Sequence, residues 1–135
     1  MTERELSDRI KASPALSNLC DEIAQEVTFH ADNNVQFDPI TIVMIISIVV
    51  QIIIHCRNNR DDAQIVQDIR DIRTLPPRQL IRLRRKLNKL WREKGGDNAA
   101  ATTYGNPFLT ALYEIGERAD DDALQALLQI ANDYE

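Results

Sequence analysis

The residue types that most often perform catalysis or bind metals are few in this sequence and far apart. The two histidines, His30 and His55, lack the spacing of metal ligands. Cys20 and Cys56 match neither a Cys-x-x-Cys pair nor a small disulfide framework, and the sequence leaves open whether they pair with each other. No GxSxG, P-loop, GxGxxG or HExxH motif occurs. The sequence therefore predicts no enzyme activity, with no catalytic residues, cofactor or metal site.

Adjacent carboxylates occur at two places, and both are expected to begin helices. Asp61 and Asp62 follow two asparagines, and the run 120–122 is three aspartates that precede a helical apolar pattern. Carboxylates at a helix N-terminus accept hydrogen bonds from free backbone N–H groups and interact favourably with the helix dipole. A cation site at 120–122 is the alternative to this capping role.

The charges that could recognise a partner are concentrated in one basic segment. The net charge of −5 is distributed as −5 over residues 1–38, +7 over 57–94 and −7 over 95–135. The bases are densest in 78–94, with eight bases against the single acid Glu93. On a helical wheel six bases lie opposite a leucine stripe, and this predicted basic face consists of Arg78, Arg82, Arg85, Lys86, Lys89 and Arg92.

A basic amphipathic helix of this kind has several interpretations. It is a solvated surface, or it pairs with acidic segments of the same chain or of a neighbouring copy. It also suits nucleic-acid phosphates or anionic lipid. The isoelectric point of about 5.0 and the absence of helix-turn-helix spacing weigh against nucleic acid. Attraction between the oppositely charged segments favours assembly of several copies.

The element that must organise these residues is one strongly apolar helix, predicted at about 39–56. Between Ile40 and Ile54, twelve of fifteen residues are Ile, Val or Met. A helix that spans a membrane needs about 20 apolar residues, with about 17 as the lower limit, so this segment is borderline. We expect burial in protein, within one chain or between copies, through the predicted interaction residues Ile42, Ile45, Ile46, Val49, Ile52 and Ile53.

A polar seam runs along the same helix. Ser47, Gln51 and His55 are spaced four residues apart and therefore share one face. The seam has three interpretations. It faces solvent, it lines the axis of an oligomer, or it faces the interior of a membrane bundle.

Helix start signals and apolar periodicity extend over the rest of the chain. Thr2 with Glu5 predicts a capping box, and Ser13-Pro14, Asp38-Pro39 and Asn106-Pro107 each pair a capping residue with proline at the first helical position. We predict an all-α fold, an irregular bundle of five to seven amphipathic helices around the apolar central helix. The sequence leaves open whether 39–72 is one helix or two.

One domain is expected over 1–135. It would comprise acidic N-terminal helices (1–38), the apolar helix and the next helix (39–75), the basic helix (76–94), a loop (95–106) and acidic C-terminal helices (107–135).

The favoured functional hypothesis is a non-catalytic structural or assembly subunit that self-associates or docks on protein partners. A small virion or connector protein of a tailed phage would fit. One alternative is a membrane-associated protein that inserts 39–56, and another is a nucleic-acid-associated protein that uses 78–94. The N-terminus lacks the apolar region of a cleaved secretory signal, and the two distant cysteines favour a reducing cytoplasmic compartment or a virion.

Overall fold

The computed structural model describes residues 2–26, 38–56, 61–93 and 107–133. These residues form seven α-helices, and no strand occurs among them, which confirms the predicted all-α bundle. A short 3₁₀ helix, Ile72–Thr74, lies between the fourth and fifth helices. The α-helices are α1 (Glu3–Ala12), α2 (Pro14–Glu26), α3 (Pro39–Cys56), α4 (Asp62–Arg70), α5 (Pro77–Glu93), α6 (Pro107–Arg118) and α7 (Asp121–Asp133).

The apolar helix α3 is the centre of the bundle, and it contacts every other described helix. Its side chains are covered within a single chain: the most exposed of the six predicted interaction residues, Val49, is only 6% exposed. Self-association through these residues would therefore require the bundle to open. Among the described residues, no helix is long and apolar enough to cross a membrane. The six buried residues are Ile42, Ile45, Ile46, Val49, Ile52 and Ile53.

The first three helices begin at residues that the capping signals predict. Thr2 Oγ1 accepts a hydrogen bond from Glu5 N–H at 3.2 Å, which is one half of the predicted capping box. Asp38 Oδ1 accepts one from Thr41 N–H at 2.7 Å. Ser13 Oγ is 3.4 Å from the backbone nitrogen of Leu16. The predicted cap Asn106 and the predicted loop 95–106 lie outside the described residues.

Asp61 separates α3 from α4, so 39–72 is not one continuous helix. Its backbone is extended, with φ −82° and ψ 174°. Asp61 Oδ1 accepts from Gln64 N–H at 2.8 Å, while Gln64 Oε1 accepts from Asp61 N–H at 3.0 Å, which is a complete capping box. Asp120 likewise accepts from Ala123 N–H at 2.8 Å and caps α7. Both adjacent-carboxylate sites thus begin helices, as predicted.

Ion pairs on the surface connect helices that are distant in sequence. The guanidinium of Arg118 in α6 contacts Glu22 at 2.8 Å and Glu26 at 2.6 Å, both in α2, and Glu114 at 3.0 Å. These three carboxylates raise the pKa of Arg118 above its usual value, chiefly through the hydrogen bond to Glu26. Part of the negative charge of the N-terminal region is therefore neutralised by Arg118, which lies in the C-terminal region.

Candidate interaction surface

The helix α5 has one buried and one exposed face because its leucines recur at helical spacing. Leu83, Leu87 and Trp91 are buried, and α5 packs on α3 and α6. The Trp91 and Phe108 rings meet edge to face, with centroids 5.5 Å apart and planes at 85°. Burial of this face against α3 and α6 determines which side chains of α5 point outward.

The outward side of α5 is formed by bases. Five of the six predicted residues are exposed, whereas Lys86 is half-buried and belongs to a neighbouring groove. Arg84, which the helical wheel left out of the basic face, is also exposed at its flank. We define the α5 basic face as Arg78, Arg82, Arg85, Lys89 and Arg92.

The cations of this face have no acidic partner in the described part of the chain. There, every ion pair involves bases of other helices or turns, namely Arg9, Arg70, Arg73 and Arg118. Pairing of α5 with acidic segments of the same chain is therefore absent among these residues. At 1.5 Å per residue, the row from Arg78 to Arg92 extends over about 21 Å.

A groove of about 330 Å³ lies beside the α5 basic face, between α1, α3 and α5. It is open to solvent on one side, and both rims carry charged side chains. Lys89 belongs to both the basic face and the groove, so the two features are continuous. The groove is lined by Glu3, Ser7, Met44, Ser47, Ile48, Gln51, Lys86, Lys89, Leu90 and Glu93.

Two residues of the predicted polar seam, Ser47 and Gln51, face this groove. Ser47 is buried, and its hydroxyl donates to the Val43 carbonyl at 2.9 Å. Its Oγ is 3.3 Å from Ser7 Oγ, and because the Ser47 proton is already used, Ser7 is the donor. Ser47 therefore meets a partner helix of its own chain, which differs from all three interpretations of the seam.

Gln51 connects α1, α3 and α5 across the groove. Its amide nitrogen is 3.5 Å from Glu3 Oε1, and its Oε1 accepts a hydrogen bond from Lys86 Nζ at 3.3 Å. His55 is exposed, so the solvent-facing interpretation holds for that end of the seam alone. Lys86 is thus part of a polar network rather than of the outward basic face.

The residues with possible chemistry do not come together in the described structure. Cys20 is a free, buried thiol, and burial raises its pKa to about 12, with a smaller contribution from Asp21. His30 and the side chain of Cys56 lie outside what the structure describes. In the described ranges, no group of three or more His, Cys, Asp or Glu side chains could hold a metal ion.

The groove itself was not predicted, although a signal for it exists in the sequence. Glu3 and Ser7 in α1 are four residues apart, as are Ser47 and Gln51 in α3. Each pair shares one face of its own helix, so both helices carry a short polar stripe. The pairing of the two helices is a tertiary contact, and one sequence does not specify it.

Comparison of the chain with protein-family models, with curated proteins and with solved structures finds no match. Its function is therefore inferred from its own residues, chiefly the α5 basic face and the groove.

Proposed function

We propose that the protein is a non-catalytic structural subunit that docks on an acidic protein surface through the α5 basic face. The observation that carries the proposal is a row of five exposed cations without acidic partners in the described chain. The chain has a net charge of −5, so these cations are a local exception to its overall sign. Charge complementarity of this kind steers association and selects partners.

An exposed isoleucine supports a protein partner over nucleic acid. Ile81 is 52% exposed, three residues after Arg78 and four before Arg85. Apolar side chains surrounded by polar ones are typical of protein interfaces, where they form the buried centre of the contact. The negative net charge also opposes approach to a nucleic acid, whose affinity for proteins arises mainly from phosphate contacts.

Under this proposal the partner can be a second copy of the chain, because the acidic helices α2 and α7 of that copy carry the opposite charge. Self-association is not needed to cover the six predicted interaction residues of α3, which are buried within one chain. We extend the proposal to a virion or phage connector as its setting, where compact subunits join larger assemblies. That extension rests on class-level analogy alone.

Nucleic-acid binding is the second candidate, because the row of cations extends over about 21 Å along one helix. A row of this length could follow several phosphates. Such binding would weaken steeply with salt, since each neutralised phosphate releases condensed counterions.

The test compares two charge reversals on α5 with two on α1. Arg82→Glu with Arg85→Glu alters the basic face, whereas Arg4→Glu with Lys11→Glu makes the same charge change at exposed positions of α1. The probes are poly-L-glutamate and a single-stranded DNA oligonucleotide, both titrated at several salt concentrations. We expect the α5 reversals to weaken poly-L-glutamate binding about tenfold or more, and the α1 reversals to change it about twofold.

Three results would contradict this proposal. The first is no binding of poly-L-glutamate even at low salt, and the second is equal weakening by the two pairs of reversals. The third is tighter binding of DNA than of poly-L-glutamate at physiological salt, which would establish the second candidate instead. Light scattering of the free protein shows whether the partner is a second copy.

A further inference from the structure

We infer that the groove between α1, α3 and α5 receives an apolar side chain from the acidic segment that the α5 basic face holds. The inference rests on the proposed function and goes further, because it specifies the sequence of the partner: carboxylates around one apolar residue. Lys89 lies in both surfaces, so one segment can reach both of them.

The uncharged polar side chains of the groove, Ser7, Ser47 and Gln51, already have hydrogen-bond partners. Ser7 donates to Ser47, which donates to the Val43 carbonyl, and Gln51 accepts from Lys86. A guest that depended on these groups for hydrogen bonds would have to displace existing ones. The groove therefore favours a bound group whose affinity does not come from hydrogen bonds.

Such a group gains affinity by burying apolar surface on the floor of the groove. Met44 and Ile48 are four residues apart on α3, so they lie on one face, and both are half-buried. Leu90 of α5 completes the floor. The volume of about 330 Å³ is at the small end of the range for ligand sites and is sufficient for one apolar side chain of a peptide.

The rim charges determine how the segment must lie. Lys86 and Lys89 form the α5 rim, while Glu3 lies on the α1 side and Glu93 at the end of α5. A partner carboxylate beside Glu3 would be repelled. The acidic residues of the segment must therefore lie toward the α5 basic face, with the apolar residue reaching into the groove between the rims.

The test uses two synthetic peptides that differ at one position. Each has four glutamates, one central residue and four glutamates, and the central residue is leucine in one peptide and glutamine in the other. Charge and length are equal, so the ratio of their affinities isolates the apolar contact. We expect the leucine peptide to bind about tenfold more tightly to the wild-type chain, which corresponds to partial burial of one leucine.

Variants locate that contact. Met44→Gln keeps the length of the side chain and should reduce the preference for leucine to about twofold or less, with the affinity for the glutamine peptide unchanged. Ile40→Gln is the matched control at an exposed position of α3 outside the groove and should keep the tenfold preference. Ile81→Gln tests the alternative that the leucine contacts the exposed isoleucine of α5 instead. Ser7→Met fills the groove from α1 and should also reduce the preference for leucine to about twofold or less. This second variant tests the groove even if Met44→Gln fails to fold.

The outcomes separate the two proposals. Absence of binding by either peptide overturns the proposed function, and this inference with it. Equal binding of both peptides overturns the groove contact alone. Loss of the leucine preference in Ile81→Gln, with retention in Met44→Gln or Ser7→Met, places the apolar contact on α5 and likewise overturns the groove.

Discussion

Gly116 sets how closely α6 approaches the last turn of α4. A Cβ atom at this position would lie 2.4 Å from the carbonyl oxygen of Arg70 and 2.8 Å from that of Ile69. Both are backbone atoms, so neither can rotate away as a flexible side chain would. Only the absence of a side chain at Gly116 permits this contact between the helices.

We therefore expect Gly116→Ala to destabilise the protein, although alanine is the better helix former. The expected loss is about 1–3 kcal/mol in the free energy of unfolding, since overpacking forces the backbone to shift. Urea denaturation measures it. Thr110→Ala at an exposed position of the same helix should change the free energy by less than about 0.5 kcal/mol. A Gly116→Ala variant as stable as Thr110→Ala would contradict the close approach.

At the scale of single elements, α3 is the helix whose stability depends most on its neighbours. Isoleucine and valine have only moderate helix propensity, so the helix depends on the neighbours that cover it. These neighbours come from both sides of the sequence: α1 and α2 precede α3, and α4 to α7 follow it. The helix is therefore stable as part of the bundle rather than by itself.

Placing a charge in α3 should unfold the chain when the position is buried and have little effect when it is exposed. Ile46 is 1% exposed, so Ile46→Asp should cost at least about 5 kcal/mol, which is the whole stability of a marginally stable protein. Ile40, at 58% exposed in the first turn, is the control: Ile40→Asp should stay within about 0.5 kcal/mol of the wild type. Circular dichroism melts measure both. A wild-type melting temperature for Ile46→Asp would be incompatible with the central position of α3.

The helices could be predicted well, because their signals are local. The bounds of α3, its Asp38 cap and the buried leucines of α5 follow from residues a few positions apart. The groove could not be predicted in the same way, because it depends on how α1 and α5 pack against α3. For the same reason a helical wheel placed Lys86 on the outward face, although a neighbouring helix half-covers that edge of α5.

At the scale of the whole molecule, opposite charges are segregated. The net-acidic helices α2 and α7 contact each other, and both contact α1, whose three acids and three bases balance. The basic helix α5 packs on α3 and α6 instead. Contacts between distant ends of the chain hold α1, α2 and α7 together, as in the ion pair of 2.7 Å between Arg9 of α1 and Asp133 of α7. The molecule is therefore electrically asymmetric, which orients it in the field of a charged partner.

The Arg9–Asp133 pair makes the stability of the fold sensitive to acid. The hydrogen bond from Arg9, and a second one from Gln129, hold the pKa of Asp133 below its usual value of 3.8. A lowered pKa in the folded state means that the contribution to stability is present above pH 3.8 and is lost as the pH falls below it. We expect the Arg9→Gln variant to have a lower melting temperature than the wild type at pH 7.

The same difference in melting temperature should shrink between pH 4 and pH 2, because protonation of Asp133 removes the interaction from the wild type as well. Asp133→Asn, which cannot titrate at this position, should show the same convergence. A difference that stays constant down to pH 2 would assign the effect of Arg9 to packing instead of charge.

The core-facing side chains of α3 are buried by helices that both precede and follow it in the chain, and this has a consequence for biosynthesis. When Cys56 has left the ribosome, α1 and α2 are available to cover the helix, but α5, α6 and α7 have not yet emerged. At about 5–20 residues per second, an isoleucine-rich surface stays exposed on the nascent chain for about 4–15 seconds until residue 133 has emerged as well. Chains that stop before α7 would keep that surface exposed, so they are natural clients for chaperones and proteases.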